Sequence, residues 1–387
     1  MADVLIIGAG PVGLFTAALL LQEGLEVQVL EQRRGPEPHS RAIGIHPPSL
    51  AALARAGAAD ALVAEGVRIR RGVAVARGKT LATMSFDGVS ERFPFVLSLP
   101  QARTEVLLEQ RVNELDGGAL HRGVRVTGLC GDDARVSVEA AGPHGPARYS
   151  APLVIAADGV RSGVRGLQGV GVRGKDYPDR YLMGDFADGT GFGPDAALFL
   201  AGAGIVESFP LPGRLRRWVV RLGPGDPAAR DVQAGGRSPD PRWLAHCVRE
   251  RTGHEVDEGS NSMLSSFGVR TRLARRMVSG RTVLIGDAAH EVSPIGGQGM
   301  NLGWLDAAAL APLVTAARDG QDIARRLRDF ELARLRAAAK AARQAEINMA
   351  LGRPLPDRLL AARNCAIGGV AAVPALNSLI ARRFTMH

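Results

Sequence analysis

The stretch 281–303, RTVLIGDAAHEVSPIGGQGMNLG, brings together residue types that can do chemistry. Thr282 to Ile285 reads as a buried apolar strand, Gly286-Asp287 stands at its end, and a Pro/Gly-rich loop runs into a helix near Gly299. A carboxylate delivered at a strand end, before a loop with too few side chains to pack, marks a place where backbone approaches a ligand. Asp287 can accept hydrogen bonds from a polyol. The bare amides of Gly299, Met300 and Asn301 open a helix, and a helix N-terminus favours negative charge. A flavin uses both features, because its ribityl chain is a polyol and its N1–C2=O edge becomes anionic on reduction.

The elements that must position such a group begin at the N-terminus. Asp3 to Ile7 is a short apolar strand, and Gly8-Ala9-Gly10-Pro11-Val12-Gly13 has the GxGxxG spacing. Val12 to Leu21 continues as an apolar helix, and Leu25 to Leu30 gives a second strand ending at Glu31. In this pattern Gly8 makes the tight turn, Gly10 lets backbone reach a pyrophosphate, and Gly13 lets the helix pack close on the strand. Glu31 stands where a carboxylate holds an adenosine ribose, with Gln32 and Arg33 just beyond. Arg33 or Arg34 can read a ribose phosphate, or simply face solvent. A lone GxGxxG is weak; strand, helix, second strand and terminal acid in register make it specific.

Three segments in order, Gly8 to Gly13, LVIAADGVRSGVR with Asp158-Gly159, and GDAAHEVSPIGGQGMNLG, resemble the fingerprints of the single-component (group A) FAD-dependent aromatic hydroxylases, the para-hydroxybenzoate hydroxylase-like family. The resemblance spans residues 4 to 303. It implies an α/β fold in which a Rossmann-like FAD-binding domain interleaves with a mainly β substrate domain, followed by C-terminal helices. We expect 1–70, 100–168 and 277–320 to form the discontinuous FAD-binding domain, 71–99 and 169–276 the substrate-binding sheet, and 321–387 a helical segment. The resemblance also implies that Arg41, in RAIGI, lies close to the flavin, that Gln101 contacts the cofactor, and that Asp158 lies beside it. Each has an ordinary reading too: Arg41 as a surface loop residue, Gln101 as a polar residue at a helix start, Asp158 as a cap for a helix from Ser162 to Arg165.

The implied reaction passes hydride from NADH or NADPH to flavin N5, after which O2 forms a C4a-hydroperoxide that transfers OH to an electron-rich aromatic, phenolic or polyketide-type substrate. Pro294 and Gly296 would sit beside the oxygen site, with Arg41 nearby. The base that takes the substrate's hydroxyl proton is left open. His290 reads as a structural hydrogen-bonding residue and His46, before two prolines, as a turn residue. Two alternatives stand: a reductase or dehydrogenase of the same fold, such as one saturating prenyl chains, and a non-catalytic dinucleotide-binding protein.

Composition limits the other options. The 387 residues are 46% hydrophobic, enough for more than one ordinary domain, and abundant Ala, Gly and Arg suit a GC-rich bacterial genome. A net charge of +9 raises nucleic-acid binding, but the arginines are scattered with no basic run interleaved with aromatics, so we expect none. Cys130, Cys247 and Cys365 are few, odd in number and far apart, which suits neither a disulfide framework nor a metal site and points to a reducing cytoplasm. The first apolar stretch lacks a basic flank and is already used as strand and helix, so no signal peptide is expected. A monomer or homodimer is expected. Larger members of the family carry a thioredoxin-like domain, which we do not expect in this chain.

Residues 66–98 and the region from Gly169 to Phe267 alternate in the β manner, and Phe86 to Phe267 holds eight of the 11 phenylalanines. One aromatic-rich sheet would suit a flat apolar substrate. Tyr181, Phe186, Phe199, Phe209 and Trp218 are the expected pocket wall. Gln321 to Leu351 reads as a long amphipathic helix. The apolar tail from Pro356 to His387 can cap the pocket, rest on a membrane surface, or dock on the core.

Overall fold

A computed structural model of the chain describes residues 2–35, 41–223 and 240–386. Pro36 to Ser40 of the loop before Arg41, and residues 224–239 of the expected substrate segment, lie outside the described residues.

The first sheet has six strands, in the order Val278–Ser279, Thr282–Leu284, Leu153–Ala156, Val4–Ile7, Val27–Glu31 and Leu120–Arg122. All pair in parallel except the short hairpin at 278–284. Val4–Ile7 lies at its centre with every residue buried, as an apolar strand covered on both faces requires. Chain order reverses beside it, Val27–Glu31 on one side and Leu153–Ala156 on the other, and such a switch point opens a crevice at the C-terminal strand ends. Gly8, Glu31, Asp158 and Gly286-Asp287 all sit at those ends.

Close approach of backbone holds the crevice together. Gly8 has φ +103°, and a Cβ there would lie 2.5 Å from the Ala157 carbonyl oxygen. A Cβ on Gly13 would lie 1.9 Å from the Gly8 carbonyl oxygen, so the helix Pro11–Gln22 packs on the turn only because residue 13 has no side chain. On the long helix Gln298–Arg318, a Cβ at Gly303 would lie 2.4 Å from Val12 Cγ2 and 3.0 Å from Gly286 Cα. The N-terminal turn, the 286 turn and this helix therefore meet at one point. Trp304 Nε1 donates to the Pro11 carbonyl at 2.9 Å and seals the joint.

The second sheet has eight strands, in the order His290–Glu291, Met263–Ala274, Val172–Ala187, Leu215–Leu222, Val206–Leu211, Ala196–Phe199, Arg71–Ala76 and Lys79–Ser85. One face buries Leu182, Phe186, Phe199, Trp218 and Val220 with Leu244, Cys247 and Val248 of the helix Pro241–Thr252. The other carries Met183, Leu200, Ile205, Val219 and Phe267. His290–Glu291 pairs with Arg272 and Leu273, so the segment that begins at Asp287 is built into the edge of this sheet. Within the expected substrate segment 71–99, Val96–Ser98 joins Gly44–Ile45 and Val67–Ile69 in a small sheet instead.

Below the 286 turn, fully buried Asp306 accepts the Gly286 N–H at 3.0 Å, lies 2.6 Å from His290 Nε2, and accepts Arg334 Nε at 2.6 Å. Arg334 comes from the helix Ala324–Leu351. Burial pushes the Asp306 carboxyl up, but His290, Arg334 and the Gly286 amide outweigh it and hold the group below its ordinary value. Burial pulls His290 down, but Asp306 outweighs it and holds the imidazole above its ordinary value. Among the described residues no single helix is long and apolar enough to cross a membrane.

Removing one partner of a buried charge network costs about 3–5 kcal/mol, so Asp306→Ala is expected to lower the melting temperature sharply. The stability from the depressed Asp306 is lost as pH falls through its folded value, and that from the raised His290 is lost as pH rises through its own. The deficit, read by thermal denaturation, should therefore be largest between the ordinary carboxyl and imidazole values and shrink on either side.

Candidate active site

A single cavity of about 1170 Å³ begins at the crevice and continues under the second sheet. Small-molecule sites commonly hold about 300–1,000 Å³, so this space is larger than one modest ligand needs.

At the crevice end, Gly8, Gly10, Pro11 and Val12 line the cavity, and a Cβ on Gly10 would project into open space. Gly13 lies behind them. Glu31, only 4% exposed, is tied to the protein on both oxygens: Oε2 accepts the Ala9 N–H at 2.7 Å, and Oε1 accepts the Arg33 N–H at 2.7 Å and Arg33 Nε at 3.2 Å. It therefore braces the Gly-rich turn as well as lining the cavity beside Gln32 and Arg33. Asp158 lines the cavity and also caps a helix. Oδ2 accepts the Val164 N–H of the helix Gly163–Leu167 at 3.0 Å, while Oδ1 is buried with no hydrogen-bond partner among the described residues. Burial raises its pKa above the ordinary carboxyl value.

Further in, Asp287 lines the cavity and accepts no hydrogen bond from the described residues. Burial pushes its carboxyl up to about 6. The helix Gln298–Arg318 starts at Gly297, φ +66°, with no side chain capping it, so the amides of Gly299, Met300 and Asn301 are among the orphan donors of its first turn. Gly299 and Met300 reach the cavity; Asn301 does not. Its fully buried side chain instead accepts the His46 N–H at 2.8 Å and donates to the carbonyls of Gly44 and Gly297 at 2.9 and 2.7 Å. Gly286 likewise sits behind the wall, as a turn residue with φ +59°. Pro294 and Gly296 line the cavity in the loop between.

Arg41 and Gln101 stand at the junction with the second sheet. Arg41 Nε donates to Ser265 Oγ at 3.3 Å, and its guanidinium lies 5.4 Å from the Phe267 ring centre. Gln101 Nε2 donates to Glu105 Oε1 at 2.8 Å. Both are thus held by the protein, Arg41 at an exposed position.

The expected pocket wall needs correcting. Phe209 lines the cavity, but Tyr181, Phe186, Phe199 and Trp218 do not. Side chains alternate across a strand, and Phe186, Phe199 and Trp218 fall on the face covered by the helix Pro241–Thr252. Tyr181 is on the cavity side but only 1% exposed, stacked on Phe267 at 5.5 Å. The wall is formed by their neighbours Met183, Leu198, Glu207, Arg217, Val219 and Phe267. Arg217 is committed to a buried two-point pair with Asp185, at 2.7 and 2.8 Å. Alternation in the stretch 216–222 was the available signal, but aromatic content pointed to the wrong parity.

The tail folds over the far end as the helices Asp357–Ala371 and Pro374–Phe384, with Ile367, Val370, Ile380 and Phe384 facing the cavity. Phe384 stacks on His46 at 5.6 Å and on Phe86 at 6.0 Å. Of the roles expected for the tail, capping and docking describe this arrangement.

A doubly wound sheet with, among the described residues, an Asp158 oxygen and an Asp287 carboxylate that accept no hydrogen bond, a side-chain-free turn at Gly8 and Gly10 and bare amides past residue 298 supplies the groups that a dinucleotide flavin uses. The class so defined is a flavoprotein with a second sheet facing its flavin site. Residues 1–345 match the FAD binding domain family; the chain belongs to that family, and its cofactor is FAD. Its relatives include 6-methylpretetramide 4-monooxygenase of Streptomyces rimosus, 35% identical over 318 residues that cover 80% of this chain and 55% of that protein. The chain thus spans a little over half of that relative's length. The crystal structure of p-nitrophenol 4-monooxygenase from Pseudomonas putida DLL-E4 superposes with a TM-score of 0.88 at 25% identity, covering 100% of this chain and 98% of that one. Aklavinone-11 hydroxylase, solved as a ternary complex with FAD and aklavinone, gives 0.75 at 27% identity over 91% of this chain and 69% of its own.

Hydrogen bonds to a charged group contribute about 1.5–3 kcal/mol each, so Asp287→Ala is expected to weaken FAD binding at least tenfold, read by flavin fluorescence on titrating the apoprotein. Because the ionised carboxylate is the acceptor, wild-type affinity should fall as pH drops through about 6, whereas Asp287→Asn should show no such step.

Proposed function

We propose that the chain is an FAD-dependent monooxygenase that hydroxylates an aromatic, phenolic or polyketide-type substrate, with NADH or NADPH as reductant and O2 as oxidant. The supporting observation is the continuity of the cavity, which runs from the Gly-rich turn, past Asp287 and the bare amides, to an apolar wall on the second sheet. A dinucleotide-binding module would need only the first part.

Bound FAD supplies the redox chemistry, accepting hydride and activating dioxygen. The chain supplies position, charge and dryness. Gly10 would let backbone approach the pyrophosphate, and Asp287 would accept hydrogen bonds from the ribityl hydroxyls. The amides of Gly299 and Met300, which reach the cavity, would stabilise negative charge at the N1–C2=O edge, since donors fixed in advance need no reorganisation when charge develops. Pro294 and Gly296 line the cavity in the loop that precedes those amides, and Gly296 takes φ +95°, where a Cβ would lie 3.1 Å from Asn348 Nδ2. Arg41 places a cation at the mouth, suited to an anionic nicotinamide nucleotide. The tail helices cover part of the substrate end with apolar side chains, and reducing water there strengthens the electrostatic contacts inside. The three cysteines are free thiols, in keeping with a reducing cytoplasm.

Purified protein should be yellow, and its NAD(P)H oxidation should accelerate on adding a phenolic ligand, with matching O2 uptake at an oxygen electrode. A colourless preparation that takes up no FAD would overturn the reading. Turnover without oxygen consumption would favour the reductase alternative.

A further inference from the structure

We propose that Glu207 is the residue that receives the substrate's ring hydroxyl: it is a carboxylate set without a partner into the apolar sheet wall of the cavity. The inference rests on the monooxygenase reading and supplies the base that the sequence leaves open.

The sheet register shows how isolated this carboxylate is. Glu207 pairs with Leu198 on one side and Val219 on the other, and the row continues outward to Ala74 and to Met183. Along its own strand the same face carries Ile205 and Phe209. Every immediate neighbour on the sheet is therefore apolar. Among the described residues, Glu207 is the only carboxylate on the sheet wall, and no hydrogen bond or ion pair reaches it.

Charges on the surrounding elements are occupied elsewhere. Arg217 is paired with Asp185, while Arg221 and Arg353 both bind Asp179. On the helices above, Asn348 accepts from Gln344, and Arg363 donates to the Leu351 carbonyl and Asn364. Tyr181 has a buried hydroxyl without a partner, and burial together with the charge of Glu207 opposes its ionisation. It remains a neutral phenol, and no hydrogen bond joins its hydroxyl to Glu207.

An uncompensated carboxylate in an apolar wall costs stability, and such groups concentrate where chemistry uses them. Burial pushes Glu207 up to about 7, close to the operating range of a general base. The carboxylate first accepts a hydrogen bond from the ring O–H, which orients the ring. As the ring attacks, that O–H bond breaks, an O–H bond forms on Glu207, and the electron pair left on oxygen enriches the ortho and para carbons. The oxidising equivalent comes from O2 and the electrons from NAD(P)H, as already proposed. When the hydroxylated carbon loses its hydrogen as a proton to water, the C–H electron pair restores the aromatic ring and Glu207 returns its own proton to the ring oxygen.

The test uses the FAD-loaded protein with two probes, 2-naphthol and its methyl ether, which lacks the O–H. Binding is followed by probe fluorescence between about pH 5.5 and 8.5, below the range near 10 where a phenol ionises. The wild type should prefer the naphthol by about 10- to 100-fold at the alkaline end, and the preference should fade as pH drops through about 7. Glu207→Gln should retain FAD, melt at a higher temperature than wild type at pH 8 and by a smaller margin at pH 5.5, and show a small, pH-independent preference. With any phenol that is hydroxylated, the same variant should lower kcat more than KM and lose the acid limb of the pH profile. Equal discrimination in wild type and variant, or wild-type discrimination without a step near neutrality, would overturn the role of Glu207. Failure of both probes to bind the wild type would overturn it together with the aromatic-site reading on which it rests.

Discussion

The site depends on one buried carboxylate that lies outside the cavity. Asp306 accepts the Gly286 amide, contacts His290 and is paired with Arg334, tying the 286 turn, the start of the second sheet's edge strand and the long C-terminal helix to a single point. Residues 286–291 and the helix Ala324–Leu351 are thus both tied to the helix Gln298–Arg318, where Gly303 allows contact with the turn and with Val12. Asp287 projects into the cavity because residues 286 and 290 on either side of it are anchored from below.

The buried carboxylates divide into two kinds. Asp306 is compensated on every side, so it holds its charge and adds stability. Asp287 and Glu207 accept no hydrogen bond among the described residues, and burial drives both toward neutrality, to about 6 and about 7. A fold gains nothing from leaving two such groups unsatisfied. Their placement along one cavity, Asp287 at the crevice and Glu207 on the sheet wall, is intelligible if each awaits a ligand group that donates hydrogen bonds. Glu31 and Asp158 lie between these extremes, each spending lone pairs on backbone amides that shape the crevice.

The two faces of the second sheet are built differently. Its covered face takes the large aromatics, Trp218, Phe199 and Phe186, under the helix Pro241–Thr252. Its open face keeps smaller and more varied side chains, Met183, Leu198, Val219 and Glu207, and leaves volume for a ligand. Aromatic content marked this sheet correctly and its wall wrongly, because bulky rings stabilise most where they are fully buried.

Much of the dinucleotide-binding half was legible in the chain itself. Gly8, Gly10 and Gly13, the acids at the ends of Val27–Glu31 and Thr282–Leu284, and the bare helix start at Gly299 all act through backbone geometry within a few residues, and local spacing reports local geometry. Folding alone decided the rest. The parity of each strand depends on which face the helix Pro241–Thr252 covers, the isolation of Glu207 on neighbours drawn from two other strands, and the role of Asn301 on its reach to Gly44 and His46. Closure of the cavity by Ile367, Val370, Ile380 and Phe384 requires the last thirty residues to return across the whole molecule. Contacts of that range are set by the packing of the complete chain and leave no periodicity or motif in the segments that make them.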